Sequence, residues 1–181
     1  MKQLLITTHL YTFAVICVIA TTISSCTFKK KTDMETPTGT KENELTMLVG
    51  TYTSGDSKGI YSFRFNEETG TATALSETEV ENPSYLAVSA DGKFIYTVSE
   101  FNNEQAAANA FAFNQEKGTL KLLNSQKTGG EDPCYIITNG NNVITANYSG
   151  GSISVFPIAK DGSLLPASDI IKFEGSGTDK E

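Results

Sequence analysis

Residues Asn82 to Glu100 read NPSYLAVSADGKFIYTVSE, and from Asp132 the chain writes the pattern again as DPCYIITNGNNVITANY. Each passage opens on Pro-x-Tyr, runs through an apolar segment into a polar turn, and leaves through a second apolar segment. The stretches GIYSFRFNEETGTA, NAFAFNQEKGTL and GSISVFPIAKDGSL repeat as well, placing Gly70, Gly118 and Gly162 at equivalent positions. An internal period of about 45 to 50 residues means one supersecondary unit stacked several times, because such a unit cannot bury its apolar faces alone.

The unit itself is legible. SYLAVS and FIYTVS flank SADGK, where Asp91-Gly92 is expected to supply the positive φ angles of a tight hairpin; NAFAFN and TLKLLN flank QEKG. Val, Ile, Tyr and Phe dominate the apolar runs, and no helical period follows the N-terminal segment, so four strands in meander order form each unit. That is the blade of an all-β fold, the β-propeller. Residues 82–125 and 132–170 give complete blades, whereas 47–80 give three strands without the first of the set. About three four-stranded blades, against the roughly four to eight of a closed ring, point to a truncated array or a fragment of a longer product. The competing reading, a self-contained open assembly, would leave broad sheet faces and edges unpaired.

Composition and the N-terminus set further bounds. Asp and Glu outnumber Lys and Arg by 21 to 14, a formal charge of -7 that gives no basic footprint for nucleic acid. Residues 1–26 read as a secretory signal: Lys2, a short apolar core LYTFAVICVIA, and ISSC ending on Cys26. The apolar run falls short of the roughly 20 residues that a membrane-spanning helix needs. Ile-Ser-Ser-Cys resembles the lipobox of bacterial lipoproteins. That would make Cys26 the lipidated residue and anchor the protein in the bacterial cell envelope, periplasm-facing or surface-exposed; an ordinary signal peptide with an incidental Cys is the alternative. Residues 27–45 are polar, carry Pro37 and Gly39, and read as a tether, leaving 46–181 as the folded domain. Of the three cysteines only Cys134 lies in that domain, in a run that reads as a buried strand, so no internal disulfide is expected. No cofactor motif or metal site is readable, since the carboxylates are spread out and the sequence beyond the signal has no His.

Taken in order, GTYTSGDSKGIYSF, ENPSYLAVSADGKFIYTVSE, GGEDPCYIIT, ANYSGGSISVFPIAKDGSL and FEGSG resemble the opening part of the lactonase-type seven-bladed β-propellers. That family includes propeller 6-phosphogluconolactonases and carboxymuconate-cyclising enzymes, and the resemblance runs from Met47 to Gly177. It implies hydrolysis of a sugar lactone, 6-phosphogluconolactone or a related aldonolactone, to its acid. It also implies a Pro-His-x-His segment and later Arg and carboxylate groups. The sequence shows none of these: its histidine is His9, within the signal, and its arginine is Arg64, within a strand and read as structural. A non-catalytic binding or scaffold lipoprotein is the alternative, because a fold does not by itself fix an activity.

Meander order decides which residues share an end. The turns SADGK, QEKG, NGNN and AKDG collect at one end. The other gathers Thr51 to Thr53, Asn82, Glu100, Asp132, Tyr135, Asn147 and Tyr148, beside the innermost strands that line the channel mouth. Glu100 is the candidate catalytic residue. A carboxylate there can take a proton from water or orient a sugar hydroxyl, and the resemblance places a glutamate at that position; capping of nearby backbone N–H groups is the competing use. Asn82, Asn147 and Tyr148 are candidate substrate-binding residues, offering amide and phenol groups suited to a polyhydroxylated ligand, or else structural links between blades. Asn82-Pro83 and Asp132-Pro133 also initiate turns that fix where each inner strand begins. The expected partners are a small sugar lactone and, through Cys26, the membrane.

Overall fold

The computed structural model describes residues 43–175. The signal peptide with Cys26, residues 27–42 of the tether, and residues 176–181 lie outside the described residues. Within them every regular element is a strand, paired antiparallel with its neighbours in three sheets.

The first sheet holds β1 (Glu44–Gly50), β2 (Gly59–Asn66) and β3 (Ala72–Glu79) in that order. The second is the meander β4 (Leu86–Val88), β5 (Phe94–Ser99), β6 (Ala107–Asn114) and β7 (Thr119–Lys127). The third runs through β8 (Pro133–Thr138), β9 (Asn142–Asn147), β10 (Ser152–Pro157) and β11 (Asp169–Lys172). These are the three blades the repeat predicts, the first without an opening strand. β1 begins at Glu44 opposite Asn66, so the strand takes up the last two residues read as tether. At the β4–β5 turn Gly92 takes φ 68 but Asp91 does not follow it into the left-handed region. The Asp91 carboxylate instead accepts the Ser89 hydroxyl and the Lys93 N–H, a small Asx-type turn that holds its acid below the usual carboxylate range, chiefly through Ser89.

β5 shows why the middle blade reads as unbroken apolar sequence. Successive side chains of a strand point to opposite faces. Ile95 packs with Ile60 and Phe111 toward the first blade, while Tyr96 and Val98 pack with Ala108, Ala110, Ile136, Val143, Phe156 and Leu164 toward the third. Both faces are covered, so the alternation of a half-exposed strand disappears. β11, with nothing packed on its far side among the described residues, is exposed along its whole length.

The blades are also latched to one another at the turn between their third and fourth strands. Gly118, at φ 68, lies against Ser62 and Leu75 of the first blade, and Gly162, at φ 85, lies against the Phe94 ring of the second; a Cβ at either would collide with these neighbours. Hydrogen bonds fix the same turns. The Arg64 guanidinium donates to Glu116 O (2.6 Å) and Ser76 Oγ to Gly118 O (2.7 Å). From the second blade to the third, Tyr96 donates its hydroxyl to Gly162 O (3.2 Å), and Asn124 exchanges two bonds with the Leu164 backbone (2.7 and 2.9 Å). Arg64, with its other nitrogen on Thr46 Oγ1 at 3.0 Å, is thus a latch.

Candidate active site

At the opposite end the repeat sets the same backbone frame in successive blades and fills it differently. Asn82 and Asp132 both adopt left-handed φ, 46 and 49, immediately before Pro83 and Pro133. Asn and Asp tolerate this region better than other residues with a Cβ. The carbonyl of Asn82 accepts the N–H of Glu100 (3.0 Å), and that of Asp132 accepts the N–H of Tyr148 (2.8 Å). Glu100 and Tyr148 are therefore equivalent positions, each just after the second strand of its blade. In the first blade Thr51 N–H bonds Gly59 O at 3.0 Å, extending the β1–β2 ladder and bringing Tyr52 to the corresponding place.

Asn82 ties the first two blades together. Its Oδ1 accepts both the N–H and the hydroxyl of Thr53 (3.0 and 3.1 Å), and its Nδ2 donates to Glu100 O at 3.2 Å. The amide is thereby occupied in holding Thr53, the residue after Tyr52, and the Glu100 backbone in register.

The Glu100 side chain accepts a hydroxyl donor: Ser84 Oγ donates to Glu100 Oε2. Tyr52 of the first blade lies within electrostatic reach of the same carboxylate, and its phenol pKa is raised, first by hydrogen-bonding interaction with Glu100, then by desolvation and the Glu100 charge, with Ser84 acting in the opposite sense. The arrangement differs from backbone capping: the N–H groups of Ser84 and Glu100 both go to Asn82 O, and the donor to the carboxylate is a hydroxyl. It is only partly buried, so water or a ligand can reach it.

In the third blade the equivalents of Ser84 and Glu100 are Cys134 and Tyr148. Cys134 is partly exposed and makes only a long contact to Ala146 O, 3.9 Å. Tyr148 is 81% exposed, available to a ligand. The Asp132 carboxylate accepts Ser149 Oγ. Tyr85 and Tyr135, equivalent in the repeat, bring their rings to 4.7 Å between centroids at a tilt of 52°.

Asn147 does not join this group. It is 2% exposed, its Nδ2 donates to Ser152 Oγ (3.0 Å) and Ser154 Oγ (2.9 Å), and its Oδ1 accepts the Thr145 hydroxyl (3.0 Å). The physical reason is alternation: adjacent residues at a strand end point oppositely, so Tyr148 faces out where Asn147 faces the blade interior. Ser84, unassigned in the sequence reading, becomes visible once the repeat is aligned position by position, as the hydroxyl residue between Pro83 and Tyr85. Tyr52 falls within the mouth-end set but acquires a role only through its contact with Glu100.

A hollow of about 640 Å³ lies at the same end between the β5–β6 and β7–β8 links, lined by Asn103, Glu104, Gln105, Lys127 and Glu131 among others. Neither Glu100 nor Ser84 nor Tyr52 lines it, so the converging chemistry lies elsewhere, at Glu100.

A family model described as lactonase, 7-bladed beta-propeller, matches residues 46–181. A crystal structure from Bacteroides fragilis, described as a candidate 6-phosphogluconolactonase, is 71% identical with a TM-score of 0.77, over 79% of this chain and 40% of its own. The periplasmic gluconolactonase of Pseudomonas aeruginosa is 32% identical with a TM-score of 0.64, over 70% of this chain and 38% of its own. The 6-phosphogluconolactonase of Bacillus subtilis is 38% identical over 122 residues, which is 64% of this chain and 34% of that protein. The chain thus spans from 34% to 40% of the length of these relatives. With its blades, their order and these matches in agreement, the chain belongs to the lactonase family of seven-bladed β-propellers.

Proposed function

We propose that this chain contributes the Glu100 face of a site that hydrolyses a sugar lactone to its aldonic acid. The observation that supports the reading is the Glu100 carboxylate, which accepts the Ser84 hydroxyl, raises the pKa of the neighbouring Tyr52 phenol and is still reachable from solvent. Glu100 takes a proton from a water molecule as the water oxygen attacks the ring carbonyl. The tetrahedral intermediate then expels the ring oxygen, which takes up the proton from Glu100, and the acid and hydroxyl of the opened product result. The Ser84 hydroxyl orients the carboxylate, and the Tyr52 phenol beside it is protonated at neutral pH and available as a donor. Tyr148 offers a further phenol to a substrate hydroxyl, and Asn82 serves as a positioning residue for Glu100.

The substrate is 6-phosphogluconolactone or a related aldonolactone. A signal segment ending at a lipidated Cys26 would place the protein in the cell envelope, where a non-phosphorylated aldonolactone suits the location better; the periplasmic gluconolactonase relative supports that choice. Cys26→Ala should then move the protein from the membrane pellet to the soluble fraction, and its persistence in the pellet would count against lipid anchoring. The scaffold alternative draws no support from relatives described as lactonases.

The test of the chemistry is Glu100→Gln in the full-length protein, with acid release from glucono-δ-lactone and its 6-phosphate followed by pH-stat. Loss of a general base lowers the rate by about 10²- to 10⁴-fold, and the near-isosteric amide leaves thermal unfolding cooperative. A full rate in the variant would remove Glu100 from the mechanism.

A further inference from the structure

Four of the seven tyrosines, Tyr52, Tyr85, Tyr135 and Tyr148, belong to the mouth end, and the sequence has no tryptophan. Tyr85 and Tyr135 stand apart from the other two. They precede and open the innermost strands of neighbouring blades, lie ring to ring at 4.7 Å, and are each 42% exposed. Ile137, on the same face of β8 as Tyr135 by strand alternation, is exposed as well. Their immediate chain neighbours are polar: Ser84 adjoins Tyr85 and donates to Glu100, and Asp132 lies just upstream of Tyr135.

We propose that the Tyr85–Tyr135 ring pair is a stacking platform for the apolar face of a neutral pyranose ring, whose rim hydroxyls reach the Glu100 carboxylate. This deepens the lactonase reading and rests on it for the identity of the mouth as a sugar site. The chemistry fits on both sides. An aromatic face carries negative quadrupole charge and attracts the polarised axial C–H groups of a sugar. A carboxylate accepts hydroxyl hydrogens from the same ring's rim. Acidic residues belong to the same mouth-end segments, Glu100 through its bond to Ser84 and Asp132 three residues before Tyr135, and they disfavour an anionic group there, so the platform selects the uncharged ring. A site lined by aromatic rings with a few placed polar groups is the usual build of a small-molecule pocket.

The probe is methyl β-D-glucopyranoside, which cannot be hydrolysed as a lactone, bound to the full-length protein and read by saturation-transfer NMR and calorimetry. The expected result is strongest saturation on the axial ring protons. Tyr85→Ala and Tyr135→Ala should each weaken binding about tenfold, the scale of a lost aromatic contact, while Tyr85→Phe and Tyr135→Phe keep it. The phenylalanine variants guard against misfolding as the cause, since they preserve the rings. Saturation absent, or unchanged in both alanine variants, overturns the platform. If lactone is hydrolysed with Glu100-dependence but the tyrosine variants bind the glycoside normally, the platform falls and the lactonase reading stands. Ring-dependent glycoside binding without any lactone hydrolysis leaves the platform standing and removes the lactonase reading.

Discussion

The two ends of the blades are built on opposite plans. At the end carrying the third turns, Gly118 and Gly162 do the same thing in successive blades: each presses into the blade before it and is gripped by hydrogen bonds from that blade. At the mouth end the backbone frame is repeated just as closely, through Asn82 and Asp132 at left-handed φ, but the side chains it presents diverge, with Ser84 and Glu100 in one blade and Cys134 and Tyr148 in the next. Repetition at one end serves packing, where every blade needs the same fit. On the proposed reading, divergence at the other serves chemistry, where an asymmetric ligand needs different groups from each blade.

If that division holds, damage at the latch end should appear as instability and damage at the mouth end as lost activity. The largest effect on folding is expected from Gly162→Ala, where the new Cβ meets the Phe94 ring and φ is 85. Overpacking and left-handed strain together come to about 3 kcal/mol, measurable as a shift in urea unfolding. Gly70→Ala is the control. Its φ is 71 but its Cβ would meet nothing within 4 Å, so only the conformational part, about 1 kcal/mol, remains. Equal losses in the two variants would mean that the latch contact contributes nothing.

Next in size is Asn82→Ala. It removes the two side-chain bonds to Thr53 and the bond to Glu100 O, and leaves Ala in a left-handed conformation. A loss of about 2 kcal/mol is expected, with a fall in lactone hydrolysis because Glu100 is no longer held. Asp132→Ala, whose carboxylate reaches only Ser149 in its own blade, should lose about 1 kcal/mol and leave hydrolysis nearly intact. A reversed order would show that the third blade, and not the second, carries the site.

A smaller effect separates the equivalent residues Ser84 and Cys134. Ser84→Ala deletes a hydroxyl donor to a partly exposed carboxylate and should lower stability by about 1 kcal/mol while slowing hydrolysis. Cys134→Ser changes a group with one long contact and should be within about 0.5 kcal/mol of the parent.

The smallest effect is spectroscopic. Glu100→Gln removes the charge and the main hydrogen bond that raise the Tyr52 phenol, so the Tyr52 titration, isolated as the tyrosinate difference between each protein and its Tyr52→Phe form, should move to lower pH. The sign for stability follows: with the folded pKa raised, the contribution is complete below the ordinary phenol range and is lost as pH rises through the folded value. An unmoved titration would show that Tyr52 and Glu100 do not interact in solution.

Much of this was legible in the chain. The repeat, the apolar runs and the turn residues are local signals, and they suffice for the eleven strands and three blades of the described residues and for the sorting of residues between the two ends. Strand pairing in a meander follows chain order, so no long-range information is needed to place Glu100 and Asn147 at the same end. Side-chain direction is another matter: a shift of one residue reverses the face, which is why Asn147 turned inward and Tyr148 outward although they adjoin. Nor does any local pattern announce that the Tyr52 phenol of the first blade would feel the Glu100 carboxylate of the second, or that Asn82 would bridge to Thr53. Those contacts join residues distant in sequence, and they exist only because buried faces such as that of Ile60, Ile95 and Phe111 fix the distance between blades. The sequence by itself determined the blade and its two ends; the packing of one blade on the next decided which side chains meet at the mouth, since only interblade geometry brings their atoms within bonding distance.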